Sequence, residues 1–219
     1  MHSQVEENYL KAIFRLSAEQ EGNISTSAIA EVLAINAASV TDMIKKLAAK
    51  KLITYKPYQG VQLTSKGRKI AVDIIRKHRL WEVFLVEKLQ FNWSEVHDIA
   101  EQLEHIKSPE LINRLDDFLG NPHFDPHGDP IPDKDGHFHH AEPVLLSEVD
   151  SGASVVIQGV KDDSKDLLHY LEEHDLLLGT PVRIDQVFDF DRSMVLQYAR
   201  GELTVSRKVA ENLFVQVKE

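Results

Sequence analysis

The chain has 219 residues, 42% hydrophobic and 27% charged, which is ordinary for a soluble globular protein and enough for one large domain or two to three small ones. It has no cysteine and no run of about 18 apolar residues, which excludes a disulfide scaffold, a thiolate metal site and a membrane-spanning helix. The net charge of −10 is uneven: residues 1–75 carry ten Lys/Arg against seven Asp/Glu, the rest fifteen against twenty-eight, so a mildly basic front end is joined to an acidic body.

Val5, Tyr9, Ala12, Ile13 and Leu16 recur at helical spacing and predict a helix over residues 5–16, broken by Gly22-Asn23. The acidic start, Met-His-Ser-Gln-Val-Glu-Glu, lacks the apolar segment of a secretion signal, so a cytoplasmic protein is expected. Ser25 or Thr26 caps a short helix carrying Ile29, Ala30 and Leu33. A further helix runs from Ala37 to about Lys50, with Val40, Ile44 and Leu47 inward and Thr41, Asp42, Lys45 and Lys46 outward. Residues 52–56 and 61–63 then flank Pro57-Tyr58-Gln59-Gly60, a β-hairpin pattern, and Ser65 opens a long helix to about Leu89.

This is the element order of a winged helix-turn-helix, whose second helix suits a major groove and whose hairpin can touch phosphate. Ala37, Ala38 and Ser39 allow close approach to DNA. Asn36, Ser39, Thr41 and Asp42 offer polar groups, Lys45 and Lys46 offer charge, and Ser25 and Thr26 complete the candidate DNA-contacting set. A helical bundle with solvated lysines is the competing reading, and the hairpin's position favours the wing.

Near the end of the long helix, His78 and Glu82 stand four residues apart and share a face. The next helix, expected over residues 94–106, carries His97, Glu101, Glu104 and His105 within about 100° of one another. Two carboxylates and two imidazoles on one partly buried face need a compensating cation, and a divalent metal is the simplest. With only nitrogen and oxygen donors to offer, Mn²⁺ or Fe²⁺ fits better than structural zinc.

Residues 109–119 predict another helix, with an apolar stripe of Leu111, Leu115, Phe118 and Leu119. Residues 120–141 are rich in Pro, Gly, Asp and His and read as a linker or ordered loop. Its histidines (His123, His127, His137, His139 and His140) are set aside as metal ligands because no helix fixes them. Beyond residue 142, alternating segments at 154–157, 181–184, 194–198 and 213–217, with a helix over residues 166–174, suggest a small SH3-like barrel.

Taken in order, these parts resemble the diphtheria-toxin-repressor/MntR family of metal-dependent transcriptional repressors, in its three-domain form. The resemblance is carried by Arg76-Lys77-His78-Arg79-Leu80-Trp81-Glu82, by His97-Asp98 through Glu104-His105, by Pro126-His127-Gly128-Asp129-Pro130-Ile131-Pro132, and by His169-Tyr170-Leu171 before Gly179. It implies a mainly α fold with a small β part: a winged-helix domain over residues 1–75, a helical metal-binding and dimerisation domain with linker over 76–141, and an SH3-like (FeoA-like) domain over 142–219.

The resemblance further implies a regulatory metal site of Asn8, Glu101, Glu104 and His105. An ancillary site of His78, Glu82 and His97 would be completed by Asp163 and Asp166. Glu101 stands where iron-sensing members usually have Cys and manganese-sensing members have Glu, which implies Mn²⁺, with Fe²⁺ as the alternative. Asn8 replaces the family's usual Asp or Met. Lys11 stands where short two-domain manganese sensors have a second acidic ligand, against their closely spaced dinuclear arrangement.

The implied function is a homodimer that metal activates to bind a palindromic operator of metal-uptake genes, with no membrane partner and no catalysis. One rival is a metalloenzyme, which the absence of paired Glu-x-x-His or His-Glu-x-x-His patterns disfavours. The other is a metal-independent winged-helix regulator whose carboxylates pair with Arg76, Arg79 or Lys107.

Overall fold

Helical spacing of apolar side chains sets the first element. In the computed structural model, which describes residues 2–19, 22–57, 59–138, 144–162 and 164–218, α1 (Gln4–Glu19) buries Tyr9, Leu10, Ile13 and Leu16 along one stripe. The chain divides into two units. One comprises Met1–His78, Leu103–Ser108 and Pro132–His137; the other comprises Arg79–Gln102, Pro109–Ile131 and Phe138–Glu219.

In the first unit, α2 (Thr26–Val32) begins at Ser25, whose hydroxyl accepts from the Ala28 N–H at 3.1 Å. The next helix, α3 (Ala37–Ala49), begins at Asn36, whose side-chain oxygen accepts from the Ser39 N–H at 2.9 Å. Each cap contributes about 1 kcal/mol. Strands β1 (Ile53–Lys56) and β2 (Gly60–Leu63) pair antiparallel from Ile53↔Leu63 to Lys56↔Gly60. Ile24 and Val61 exchange both backbone hydrogen bonds at 2.9 Å, so the segment before α2 joins the wing.

Leu10, Ile13, Ile29, Val40, Ile44, Leu47, Leu52 and Val61 are fully buried in one core. At about 1.5–3 kcal/mol per side chain, this burial fixes α3 against α1. The long helix α4 (Ser65–Leu89) follows as expected, and its Ala71 reaches the same core.

In the second unit, α5 (Trp93–Leu103) and α6 (Pro109–Phe118) accompany the end of α4; Leu80, Val83, Ile112, Leu115 and Ile131 form a small core. The remainder builds a six-stranded antiparallel sheet from β3 (Val144–Leu145), β4 (Ser154–Val160), β5 (Pro181–Val187), β6 (Met194–Tyr198), β7 (Gly201–Val205) and β8 (Leu213–Val217). The strand order is β3-β8-β4-β5-β6-β7. Helices α7 (Lys165–Glu173) and α8 (Arg207–Ala210) complete it. Val155, Ile157, Leu171, Ile184, Leu196 and Leu213 are its buried centre, which Trp93 of α5 joins. No single helix among the described residues is long and apolar enough to cross a membrane.

One expected element changes the picture of the site. The helix expected over residues 94–106 stops at Leu103, and Glu104-His105 form a turn in which the Ile106 N–H bonds the Leu103 carbonyl at 3.1 Å. The helical part of the donor stripe from His97 therefore ends at Leu103, and Glu104 and His105 stand on the turn that follows. His97 and Glu101 belong to the second unit, whereas Glu104 and His105 belong to the first.

Candidate metal centres and nucleic-acid interface

In the first unit the turn after α5 meets α1. Glu104 is fully buried; its Oε2 lies 2.7 Å from Lys11 Nζ and 2.7 Å from His78 Nδ1, and the latter two are 3.2 Å apart. Next to it, His105 Nδ1 lies 2.7 Å from Glu7 Oε2, and His105 Nε2 lies 3.8 Å from Glu104 Oε1. Two oxygens in this neighbourhood of the chain, Glu104 Oε1 and Asn8 Oδ1, are buried without a hydrogen-bond partner. A buried acceptor without a donor costs about 1–3 kcal/mol, and a cation relieves that cost. The donor set of amide, carboxylate and imidazole therefore fits a divalent metal.

The structure adds partners to the expected residues. His78, expected in the ancillary set, has its Nδ1 2.7 Å from Glu104 Oε2 within the first unit. Glu7 was not foreseen; it lies one residue before Asn8, and its carboxylate takes His105. The cation that Glu104 meets is Lys11, whereas Arg79 serves Asp125 and Asp129, and Lys107 donates to the His2 carbonyl.

The second unit holds its own cluster. Glu82 is 1% exposed; its Oε1 lies 3.4 Å from His97 Nδ1 and its Oε2 lies 3.5 Å from His127 Nδ1. His97 Nε2 is 3.8 Å from Glu101 Oε1. Ligand atoms of Glu82, Asp125 and His127 lie within 4.8 Å of one another, close enough to hold one ion.

Asp125 and His127 come from the loop set aside at the sequence level, and the setting aside of His127 is corrected. No helix is needed to fix the loop. Asp125 Oδ1 accepts from the N–H groups of His127 (2.8 Å) and Asp129 (2.9 Å), and the Gly128 N–H bonds the Asp125 carbonyl at 3.0 Å. The register of β4 against β8 shifts between Ile157 and Gly159. There the Val160 N–H bonds the His127 carbonyl at 2.8 Å, and Gly128 and Gly159 pack so closely that a Cβ on either would strike the other's backbone. The signal in the sequence was the Asp-Pro-His-Gly-Asp run, an Asx-type turn.

Burial foremost, with the Glu82 charge adding to it, pushes the Asp125 carboxyl up to about 7. Burial works against charge on His127, but the Glu82 carboxylate, followed by Asp125, holds the imidazole up to about 9. Protons and hydrogen bonds thus compensate this cluster. Of the carboxylates expected to complete it, Asp166 is exposed in the first turn of α7, and Asp163 lies outside the described residues.

On α3, Ala37, Ala38, Ser39, Asp42, Lys45 and Lys46 are exposed beside the fully buried Val40, Ile44 and Leu47. Ser25 and Asn36 spend their side-chain oxygens as caps, Thr41 donates to the Ala37 carbonyl at 3.0 Å, and Lys45 lies 4.0 Å from Asp42. Thr26, at the start of α2, is half-buried.

Comparison with known proteins agrees with this anatomy. The model of the iron-dependent repressor N-terminal DNA-binding domain matches residues 1–61, that of the metal-binding and dimerisation domain matches residues 64–133, and that of the FeoA domain matches residues 144–217. The iron-dependent repressor IdeR of Mycobacterium leprae is 32% identical over 193 residues, covering 82% of this chain and 83% of its own.

Among solved structures, a manganese-dependent transcriptional repressor in complex with manganese matches with a TM-score of 0.75 at 32% identity, over 97% of this chain and 100% of that one. ScaR with bound Zn²⁺ matches with a TM-score of 0.64 at 34% identity, over 96% and 98% of the two chains. These relatives are repressors, not enzymes. The chain belongs to the iron-dependent repressor family of metal-dependent, DNA-binding transcriptional repressors, with a winged-helix DNA-binding domain, a helical metal-binding and dimerisation region and a C-terminal SH3-like FeoA domain.

Proposed function

We propose that the chain is a cytoplasmic homodimeric repressor, activated by Mn²⁺ with Fe²⁺ as the alternative effector, that binds a palindromic operator of metal-uptake genes. The observation that carries this reading is the buried, unpartnered Glu104 Oε1 beside the His105 imidazole, together with the buried, unpartnered Asn8 Oδ1 on α1. Asn8, Glu104 and His105, with Glu101 three residues before Glu104 in the chain, would hold the regulatory ion. Glu82, Asp125 and His127, with His97 beside Glu82, would hold a second. The bound metal supplies positive charge that lets carboxylates and amide oxygen share one small volume. Hard oxygen donors and the absence of cysteine favour Mn²⁺.

The chain's own residues couple that centre to DNA. Asn8 and Glu7 lie on α1, whose Leu10 and Ile13 share one core with Ile44 and Leu47 of α3. Tying α1 to the turn at Glu104-His105 therefore restrains the helix that carries Ser39, Thr41, Asp42, Lys45 and Lys46, the candidate base and phosphate contacts. Ser25, Thr26, Asn36, Ala37 and Ala38 position that helix and permit close approach. A second copy would cover the apolar side chains left open on α6, Leu111 at 40% and Phe118 at 64% exposure. Domain boundaries near residues 75 and 141 complete the proposal.

Operator binding followed by fluorescence anisotropy at buffered free Mn²⁺, Fe²⁺ and Zn²⁺ tests it. The expected outcome is tight binding with Mn²⁺ and little without metal. Equal binding by metal-free protein would sink the reading.

A further inference from the structure

A carboxyl group as fully buried as that of Glu104 is costly to charge without a counter-cation beside it. The chain supplies one from α1. Glu7, Asn8 and Lys11 span a single helical turn, and Lys11 Nζ lies 2.7 Å from Glu104 Oε2 and 3.2 Å from His78 Nδ1. The lysine side chain is itself only 17% exposed. The two oxygens of Glu104 are thus unequal: Oε2 is engaged by Lys11 and His78, whereas Oε1 is buried with no hydrogen-bond partner.

We propose that Lys11 is a resident counter-cation of the regulatory centre: it holds Glu104 Oε2 in metal-free and metal-loaded protein alike, leaves Oε1 for a single ion, and thereby sets the metal concentration at which the protein responds. The inference rests on Glu104 being a ligand. Two physical consequences follow. In metal-free protein the ammonium keeps the turn at residues 103–108 bonded to α1, so this part of the fold does not wait for metal. In loaded protein the ammonium repels an arriving divalent ion through the shared carboxylate, and in a low-dielectric site that repulsion weakens affinity. Lys11 is therefore an affinity-determining residue rather than a ligand.

The test uses the full chain with Lys11→Met and Lys11→Gln, Lys208→Met as an exposed control, and Mn²⁺ alone as the probe. Melting without metal should shift down by roughly 5–10 °C in both Lys11 variants, since each strands a buried carboxylate, and saturating Mn²⁺ should restore most of the loss. The calorimetric Kd for Mn²⁺ should fall roughly tenfold, with no change in the control. Unchanged melting and unchanged Kd in both variants would overturn the proposal. If Glu104→Gln leaves Mn²⁺ affinity intact, the ligand assignment itself is wrong. If Glu104→Gln removes the first unit's binding event while the Lys11 variants behave as wild type, only the present inference falls.

Should the Lys11 variants not fold without metal, amine acylation of the wild-type chain read by mass spectrometry decides. Lys11 should stay protected with and without Mn²⁺. Labelling that rises to the level of Lys208 on adding metal would overturn the proposal.

Discussion

The two units each bury a carboxylate, Glu104 in one and Glu82 in the other, and compensate it differently. Glu104 faces the Lys11 ammonium together with the His78 imidazole. Glu82 faces two imidazoles, His97 and His127, with Asp125 beside them. In the second cluster the surroundings push both His127 and Asp125 up, so a metal entering it competes with the protons these groups hold.

The largest expected effect comes from Glu104→Gln, which should cost metal-stimulated operator binding more than the roughly 10–100-fold typical of losing an outer-shell partner. Anisotropy titrations at buffered Mn²⁺ measure it, and the second unit should still take up metal. A variant that loses both uptake events would dissolve the distinction between the clusters.

Next is Gly159→Ala. Its new Cβ would strike the backbone of Gly128, so chemical denaturation should reveal a loss of about 3 kcal/mol. Metal binding through His127 should weaken while the first unit's centre is untouched. Wild-type stability would mean that the loop bearing Asp125 and His127 is not held by this contact.

The pH dependence sharpens the contrast. His127 is held up to about 9 against an ordinary 6.5, so its contribution is complete below pH 6.5 and disappears as pH rises through 9. Asp125, pushed up to about 7 from 3.8, acts in the same direction over a lower window, with stability falling between pH 3.8 and 7 because the fold favours its neutral form. Through His127, metal-free protein should lose on the order of 1–3 kcal/mol between pH 6.5 and 9, read as amide-exchange protection lost from the second unit. In the first unit the sign reverses: hydrogen bonding from Lys50 lowers Glu6 below its ordinary 4.5, and that stability is present above pH 4.5 and lost on acidification. Identical pH profiles for the two units would contradict the comparison.

The smallest effect belongs to the DNA face. Lys46→Ala should reduce operator affinity modestly and lower the salt dependence by about one unit of slope, without altering metal uptake in either unit. Anisotropy across a salt series checks it.

Much of this was legible in the residues. The caps at Ser25 and Asn36, the inward triplet Val40, Ile44 and Leu47, the hairpin around residues 57–60 and the long helix from Ser65 follow from local pattern, because caps, helical period and turn chemistry act over a few residues. The short strands β3 and β7 escaped notice; two to five residues at a sheet edge carry little periodicity. The stripe from His97 to His105 was drawn on a helix that ends too soon, and the partner of His105 is the unforeseen Glu7. His127 was passed over because loop histidines have no local geometry.

By itself, then, the sequence determined the order of elements, the family and the kinds of donor atom available, since these depend on residue type and near-neighbour spacing. Tertiary structure decided which donor side chains come together. The turn at Glu104, the bulge at Gly159 and the reach of Lys11 each bring together residues 26 to 93 positions apart. Such distant pairings are fixed by packing and buried charge, which no local period encodes.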